Sequence, residues 1–319
     1  PNVVLIMMES MSCKFMKHFG QSETLTPFLD SLYTRSISFR NFYSAGIHTN
    51  HGLYATLYSF PAMMKRNLMK GSVIPRYSGL PTVLKENGYY NLFFMTHEGQ
   101  YDNMNAFFRT NGYDEVFSQE NYPADKVVNS FGVQDDFLYD YAIPVLNQRA
   151  ATGQPFFATL LSISNHPPYV IPPFFHPKTS EPETQIVEYA DWALRQFFEE
   201  ARKQPWFDNT IFVLEGDHGK LVGDAECELP ESYNHIPLMI YSSRIQPEEK
   251  TTFGGQVDIQ PTILGLLNID YLQNNFGVDL LKEERPCMFY TADNMVVGRN
   301  DTLLYLYNYE TQQELTYHI

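Results

Sequence analysis

The pentapeptide Glu215-Gly216-Asp217-His218-Gly219 sets a carboxylate and an imidazole side by side after the apolar run Thr210–Leu214. Both side chains could reach a single cation. Carboxylate with imidazole suits Mn²⁺ or Zn²⁺, whereas carboxylates alone suit Mg²⁺ or Ca²⁺. The same five residues also read as an ordinary turn, because Gly and Asp favour turns. Glu9 ends a second apolar run, Val3–Met8, and adds another carboxylate. That set leaves one position beside the cation for a substrate or a nucleophile. Thr49 could fill it. It stands at the predicted start of the helix Asn50–Ser59, where a hydroxyl meets the positive end of the helix dipole. A cation and that dipole together would make its alkoxide accessible. On spacing alone, however, Thr49 is explained better as a helix N-cap.

Histidines supply a second group of candidates. His166 ends the predicted strand Pro155–Ser164, and Pro167 and Pro168 fix the loop behind it. His97 follows the predicted strand Tyr90–Met95, and His235 precedes the strand Ile236–Tyr241. These three are the candidate substrate-contacting residues. His48 and His51 flank Thr49 and are weaker candidates, since a lone histidine is more often a satisfied surface or core residue.

The elements that must position these groups alternate. Predicted strands at Val3–Met8, Ser38–Tyr43, Tyr90–Met95, Pro155–Ser164, Thr210–Leu214 and Ile236–Tyr241 interleave with helices at Leu25–Tyr33, Asn50–Ser59, Pro81–Asn87, Met104–Asn111, Asp135–Arg149, Ile186–Lys203 and Val257–Leu267. Continuous apolar runs mark strands buried on both faces. The pattern predicts an α/β fold with a doubly wound, mostly parallel sheet flanked by helices. Ligands of such sheets bind beyond the carboxyl ends of the strands, which is where Glu9, His166 and Asp217-His218 fall. The tail differs: Cys287–Ala292, Met295–Gly298 and Thr302–Tyr309 read as short antiparallel strands. The expected organisation is a catalytic domain over residues 1–270 and a small β subdomain over 271–319.

Composition narrows the function. The chain has 319 residues, 44% hydrophobic and 18% charged, with a net charge of −15. That is a globular composition. So acidic a chain is a poor nucleic-acid binder, because phosphate contacts need clustered Lys and Arg. Cys13, Cys227 and Cys287 form no CxxC pair, which argues against a zinc ribbon. A Cys227–Cys287 disulfide is left open. No apolar stretch is long enough to span a bilayer and no signal peptide is present. The chain enters a strand within two residues of Pro1, which suggests an excised domain or a processed product.

Taken together, PNVVLIMMES, LTPFLDSL, FRNFYSAGIHTNHGLYATLYSFP, GYYNLFFMTHEG, FFRTNGYDEVF, LLSISNHPPY, IFVLEGDHGK, HIPLMIY and VDIQPTILGLL resemble the sulfatase-like branch of the alkaline phosphatase superfamily. The resemblance covers nearly the whole chain. It is strongest to the catalytic domains of lipoteichoic acid synthases and related phosphoglycerol transferases. It implies an alkaline phosphatase-like fold, with Glu9, Thr49, Asp217 and His218 as ligands of one divalent metal. Mn²⁺ is the usual ion, and Mg²⁺ or Zn²⁺ serves elsewhere in the superfamily. It also implies Thr49 as nucleophile and His166 and His97 as substrate contacts. The implied chemistry moves glycerol phosphate from a phospholipid headgroup through Thr49 to a glycan, a lipid alcohol or water. The implied setting is the outer face of a bacterial membrane, as a soluble domain anchored by a transmembrane segment outside this sequence. Two departures matter. Relatives carry Trp-x-Arg after the His97 position, and this chain has Tyr101-Asp102-Asn103-Met104-Asn105. Sulfatases need C/S-x-P-x-R, and here Thr49-Asn50-His51-Gly52-Leu53 stands instead, which argues against sulfatase chemistry. A phosphoethanolamine transferase is the alternative enzyme. An inactive binding domain would lack a ligand or the nucleophile, and neither is missing.

Overall fold

The computed structural model describes residues 1–319. Its strands in chain order are β1 (Asn2–Met8), β2 (Ile37–Tyr43), β3 (Tyr90–Phe94), β4 (Glu115–Phe117), β5 (Val127–Asn129), β6 (Gly132–Val133), β7 (Phe156–Leu161), β8 (Thr210–Gly216), β9 (Leu238–Tyr241), β10 (Glu248–Gly255), β11 (Met288–Thr291), β12 (Met295–Arg299), β13 (Leu303–Asn308) and β14 (Gln313–His318). The helices are α1 (Pro27–Tyr33), α2 (Thr49–Tyr58), α3 (Leu80–Glu86), α4 (Met104–Thr110), α5 (Asp135–Ala150), α6 (Pro182–Ala201) and α7 (Ile259–Leu266). An eight-stranded sheet runs in the order β10-β2-β9-β8-β1-β7-β3-β4. All its neighbours pair in parallel except β9, which is antiparallel to both β8 and β2. The sheet is thus mostly parallel, as expected, with one reversed strand inside it.

The apolar run of β1 explains its central place. Val4, Ile6 and Met8 enter one core with α1, α5 and α6, while Val3, Leu5 and Met7 enter the other with α2, α3, α4 and α7. Alternate side chains point to opposite faces of a strand, so a strand covered on both faces must be apolar throughout. β8 and β7 flank β1 for the same reason and are likewise buried along their whole length.

A separate antiparallel sheet, β11-β12-β13-β14, packs through Val297, Leu304 and Leu306 against Tyr43, Ala45 and Phe253. The segment between α7 and β11 joins the main body: Leu280 is buried in the second core, and Arg285 pairs with Asp258 at 2.7 Å. β4, β5, β6, β10 and β14 are strands absent from the sequence reading. The three cysteines are free. No helix is long and apolar enough to cross a membrane.

Candidate active site

Parallel register brings the acids together. Met7 lies opposite Glu215 and Met8 opposite Gly216, so the first residues beyond both strands, Glu9 and Asp217, meet at the carboxyl end of the sheet. Asp217 N donates to Met8 O at 3.0 Å, and Ser10 N donates to Asp217 Oδ1 at 2.8 Å. Ser10 adopts φ 51°, a left-handed conformation uncommon for a residue with a side chain. Such backbone persists where the surroundings fix it, and here the Ser10 hydroxyl donates to Glu9 Oε1 at 2.6 Å.

Thr49 arrives from farther away. β2 is separated from β1 by β9 and β8, and the loop after it carries the chain across their ends to α2. Thr49 is the first residue of α2, and His48 occupies the N-cap without a side-chain capping bond. Thr49 Oγ1 donates to Asp217 Oδ2 at 2.7 Å and lies 3.4 Å from Glu9 Oε2. Close approach of α2 requires Gly52, where a Cβ would fall 2.2 Å from the Asp217 carbonyl oxygen. Gly216 is similarly constrained, 2.4 Å from Met11 O at that position.

His218 completes the cluster. Its Nδ1 lies 2.6 Å from Gly219 O, a contact that assigns the proton to Nδ1 and leaves the Nε2 lone pair free. Nε2 faces Asp217 Oδ2 at 3.5 Å and Glu9 Oε1 at 3.7 Å. The ligand atoms of Glu9, Asp217 and His218 all lie within 4.8 Å of one another. Glu9 and Asp217 are essentially inaccessible to solvent. Burial, reinforced by the Asp217 charge, pushes the Glu9 carboxyl well above the usual carboxylate range. Two buried carboxylates and an imidazole lone pair facing one another repel unless a cation or a proton stands between them. This donor set fits a divalent metal, with the Thr49 hydroxyl as a fourth ligand.

The remaining candidates divide. His97, 2% exposed, and His166 lie on one aromatic wall, joined through Tyr101 and Phe131. Ring centroids are 4.5 Å apart for His97–Tyr101, 6.3 Å for Tyr101–Phe131 and 4.1 Å for Phe131–His166. Burial lowers the His97 pKa, which favours a neutral imidazole there. His166 Nδ1 is held by Pro167 O at 2.6 Å. His235 is not brought to the cluster. Its Nε2 contacts Arg40 O at 2.7 Å, its Nδ1 is 3.8 Å from Glu231, and its ring stacks on Tyr43. None of these partners belongs to the Glu9–Asp217–His218 cluster. His51 is buried and pushed down to about 4, mainly by burial, while His48 reaches outward to Asp293 at 2.7 Å.

The sequence reading missed Asn165 and Lys220. Asn165 is buried and its Nδ2 donates to both Glu9 O and Ser10 O at 3.2 Å, clamping the turn that carries Glu9. Lys220 Nζ donates to Asn165 Oδ1 at 2.5 Å and to Tyr169 OH at 3.0 Å. Burial lowers its ammonium to about 8. It is the one Lys or Arg bonded to this inner ring of residues, and its place two residues beyond His218 was the only available signal.

The fold is that of the alkaline phosphatase superfamily. A crystal structure of a superfamily protein from Vibrio parahaemolyticus matches with a TM-score of 0.88 and 29% identity, covering 100% of this chain and 82% of that one. The lipoteichoic acid synthase LtaP from Listeria monocytogenes shares the fold at a TM-score of 0.84 and 22% identity, over 98% of this chain and 86% of that one. Residues 1–269 match the Sulfatase family, and the chain belongs to it. It is a sulfatase-superfamily enzyme homologous to lipoteichoic acid synthases. Lipoteichoic acid synthase 2 of Bacillus subtilis (strain 168) is 24% identical over 315 residues, 89% of this chain and 47% of that protein. Lipoteichoic acid synthase 1 of the same organism is 25% identical, over 94% of this chain and 50% of that protein. The chain spans about half the length of these curated relatives.

Proposed function

We propose that the chain transfers glycerol phosphate from a phospholipid headgroup to an alcohol acceptor, with Thr49 as nucleophile. One observation carries this reading. The Thr49 hydroxyl stands at the N-terminus of α2, 2.7 Å from a buried Asp217 carboxylate that faces Glu9 and His218. A hydroxyl on a helix N-terminus is placed for attack on an anionic phosphodiester, because the helix dipole favours negative charge there.

Glu9, Asp217, His218 and Thr49 would hold one divalent metal, Mn²⁺ in this reading. When bound, it supplies the positive charge that lowers the Thr49 pKa and neutralises the donor phosphate. Asp217 Oδ2 accepts the Thr49 proton in a hydrogen bond and orients Oγ1. Thr49 Oγ1 gives up its proton to solvent as it attacks phosphorus, the bond to the diacylglycerol oxygen breaks, and that oxygen leaves with a proton drawn from solvent. Glycerol phosphate remains esterified to Thr49. The acceptor hydroxyl then attacks the same phosphorus, the Thr49–phosphorus bond breaks and Thr49 regains its proton. His97 and His166 line the wall that receives the headgroup, with Lys220 nearby as a cation. The glycan or lipid acceptor and the outer face of a bacterial membrane belong to the same proposal, as does division into a catalytic unit of residues 1–270 and a β unit of 271–319 whose first residues, up to β11, pack on the catalytic unit.

Thr49→Ala is the direct test. With Mn²⁺ present it should fold and lose at least about a thousandfold in kcat on bis(4-nitrophenyl) phosphate, as removal of a nucleophile does. Retained turnover in the folded variant sinks the reading. Vesicles of phosphatidylglycerol and of phosphatidylethanolamine, supplied separately, identify the donor. Transfer from the second alone makes the enzyme a phosphoethanolamine transferase.

A further inference from the structure

Gln256 lies in the turn before α7 and is fully buried. Its Oε1 accepts from Ala45 N at 2.9 Å, and its Nε2 donates to Asp217 O at 2.8 Å and Gly216 O at 3.1 Å. One amide therefore bridges the loop that leads to Thr49 and the backbone that carries Asp217. The C-terminal sheet adds a second restraint on that loop. At the end of β11, Thr291 donates to Ala45 O twice, from N at 2.9 Å and from Oγ1 at 3.1 Å. Asn234 Nδ2 ties Thr291 O to Ser44 O and Gly46 O, at 3.3 to 3.4 Å. Beyond β11, Asp293 Oδ1 holds His48 Nε2 at 2.7 Å, and Tyr309 OH, from the turn between β13 and β14, donates to Asp293 O at 3.1 Å.

Ala45 thus has its N–H fixed from the main body and its carbonyl fixed from the C-terminal sheet. Ala45, Asn234, Gln256 and Thr291 are all buried, so a lost partner there leaves a desolvated polar group behind. The His48–Asp293 contact is half exposed and solvated, and so contributes less.

We infer that the C-terminal sheet is part of the catalytic apparatus: Thr291 and Asp293, acting with Gln256, set the distance between Thr49 and Asp217. These three are positioning residues and touch no substrate. The inference rests on Thr49 as nucleophile. A displacement of about 1 Å at such a group costs about a hundredfold in rate, so the frame should be visible in turnover as well as in stability.

The test uses Gln256→Met, Thr291→Val, Thr291→Ser, Asp293→Ala and Asp293→Asn in the full chain. Turnover of bis(4-nitrophenyl) phosphate, Mn²⁺ affinity by calorimetry and thermal midpoint are read for each. Gln256→Met should lower kcat at least about tenfold and weaken Mn²⁺, with KM within about twofold. Thr291→Val should lower kcat severalfold, and Thr291→Ser, which keeps the hydroxyl, should restore it. Asp293→Ala should show a smaller fall that Asp293→Asn restores. A structural role alone would shift the thermal midpoint and leave kcat and Mn²⁺ affinity in place. Folded Gln256→Met and Thr291→Val proteins with wild-type kcat and Mn²⁺ affinity overturn the inference. If Gln256→Met does not fold, Thr291→Val and Asp293→Ala decide by the same two readouts. If the unmodified protein turns over no diester with Mn²⁺, the nucleophile reading fails, and the frame is judged on Mn²⁺ affinity alone.

Discussion

Asp258 and the Glu9–Asp217 pair are buried completely, and the molecule treats their carboxylates differently. Asp258 is inaccessible, and every oxygen position is occupied: Gly255 N and Val278 N donate at 3.0 and 2.9 Å, and Arg285 closes on both oxygens with its shortest contact at 2.7 Å. Burial raises its pKa and Arg285 opposes that. Glu9 and Asp217 are equally buried, yet no Lys or Arg touches either. Their neighbours are each other, two hydroxyls, backbone N–H groups and an imidazole with its lone pair turned inward. A buried acid with its own cation is structural. Buried acids held together without one make a site for a cation from outside.

Asp217→Asn should break the difference most severely. On the proposed ligand set it removes one ligand, so Mn²⁺ affinity should fall by more than about a hundredfold, beyond the usual loss when a residue that only orients a ligand is changed. It also removes like charge beside Glu9, so the metal-free variant should melt no lower than the metal-free parent. Retained Mn²⁺ affinity would refute the ligand assignment.

Arg285→Met tests the other side. It leaves Asp258 buried without its cation, which costs about 3 kcal/mol, toward the lower end for broken buried pairs because Arg285 is 26% exposed. Urea unfolding of this variant without metal provides the number. A loss below about 1 kcal/mol would mean that the backbone donors alone satisfy Asp258.

The same contrast explains what the sequence could tell. β1, β7 and β8 were legible because strands covered on both faces must be continuously apolar. The acids at their ends followed directly, since Glu9 and Asp217-His218 come immediately after such runs. Edge strands carry no such mark. β10 reads Glu-Glu-Lys-Thr-Thr-Phe-Gly-Gly with only its last three residues buried, and β14 has none buried. The reversal of β9 is a matter of pairing, to which local pattern is blind. Thr49 reaches the cluster by a loop that crosses the ends of two strands, so spacing favoured a simple cap. Gln256, Asn165 and Phe131 act through contacts between segments distant in sequence, and nothing local distinguishes them. His235 shows the opposite failure. Its position before a strand suggested a pocket, but Arg40 O, Glu231 and Tyr43 account for its ring.

Asp191 lies between the two extremes and gives the smallest effect. It is buried in α6 and accepts Phe28 N and Leu29 N of α1, each at 2.9 Å, but no cation contacts it. Burial pushes its carboxyl from an ordinary 3.8 up to about 7, against the pull of the two N–H donors. The sign follows from linkage. Between about 4 and 7 the unfolded chain has lost this proton while the folded protein keeps it. The folded state therefore binds more protons there, and this group's contribution to stability falls as pH rises through that window, then stays level above about 7. Asp191→Asn keeps one acceptor oxygen and cannot ionise, so the fall should vanish. Urea unfolding at pH 4.5 and pH 8 should show the parent losing about 1–2 kcal/mol more than the variant across the interval, allowing for partial relaxation around the carboxylate. Taking the difference between the two proteins cancels every other titrating group. Equal losses would mean that the two N–H donors hold Asp191 ionised at both pH values, as backbone donors and a helix N-terminus can. Asp191 would then be balanced as fully as Asp258, whereas Glu9 and Asp217 face each other and His218 with no Lys or Arg of the protein in contact.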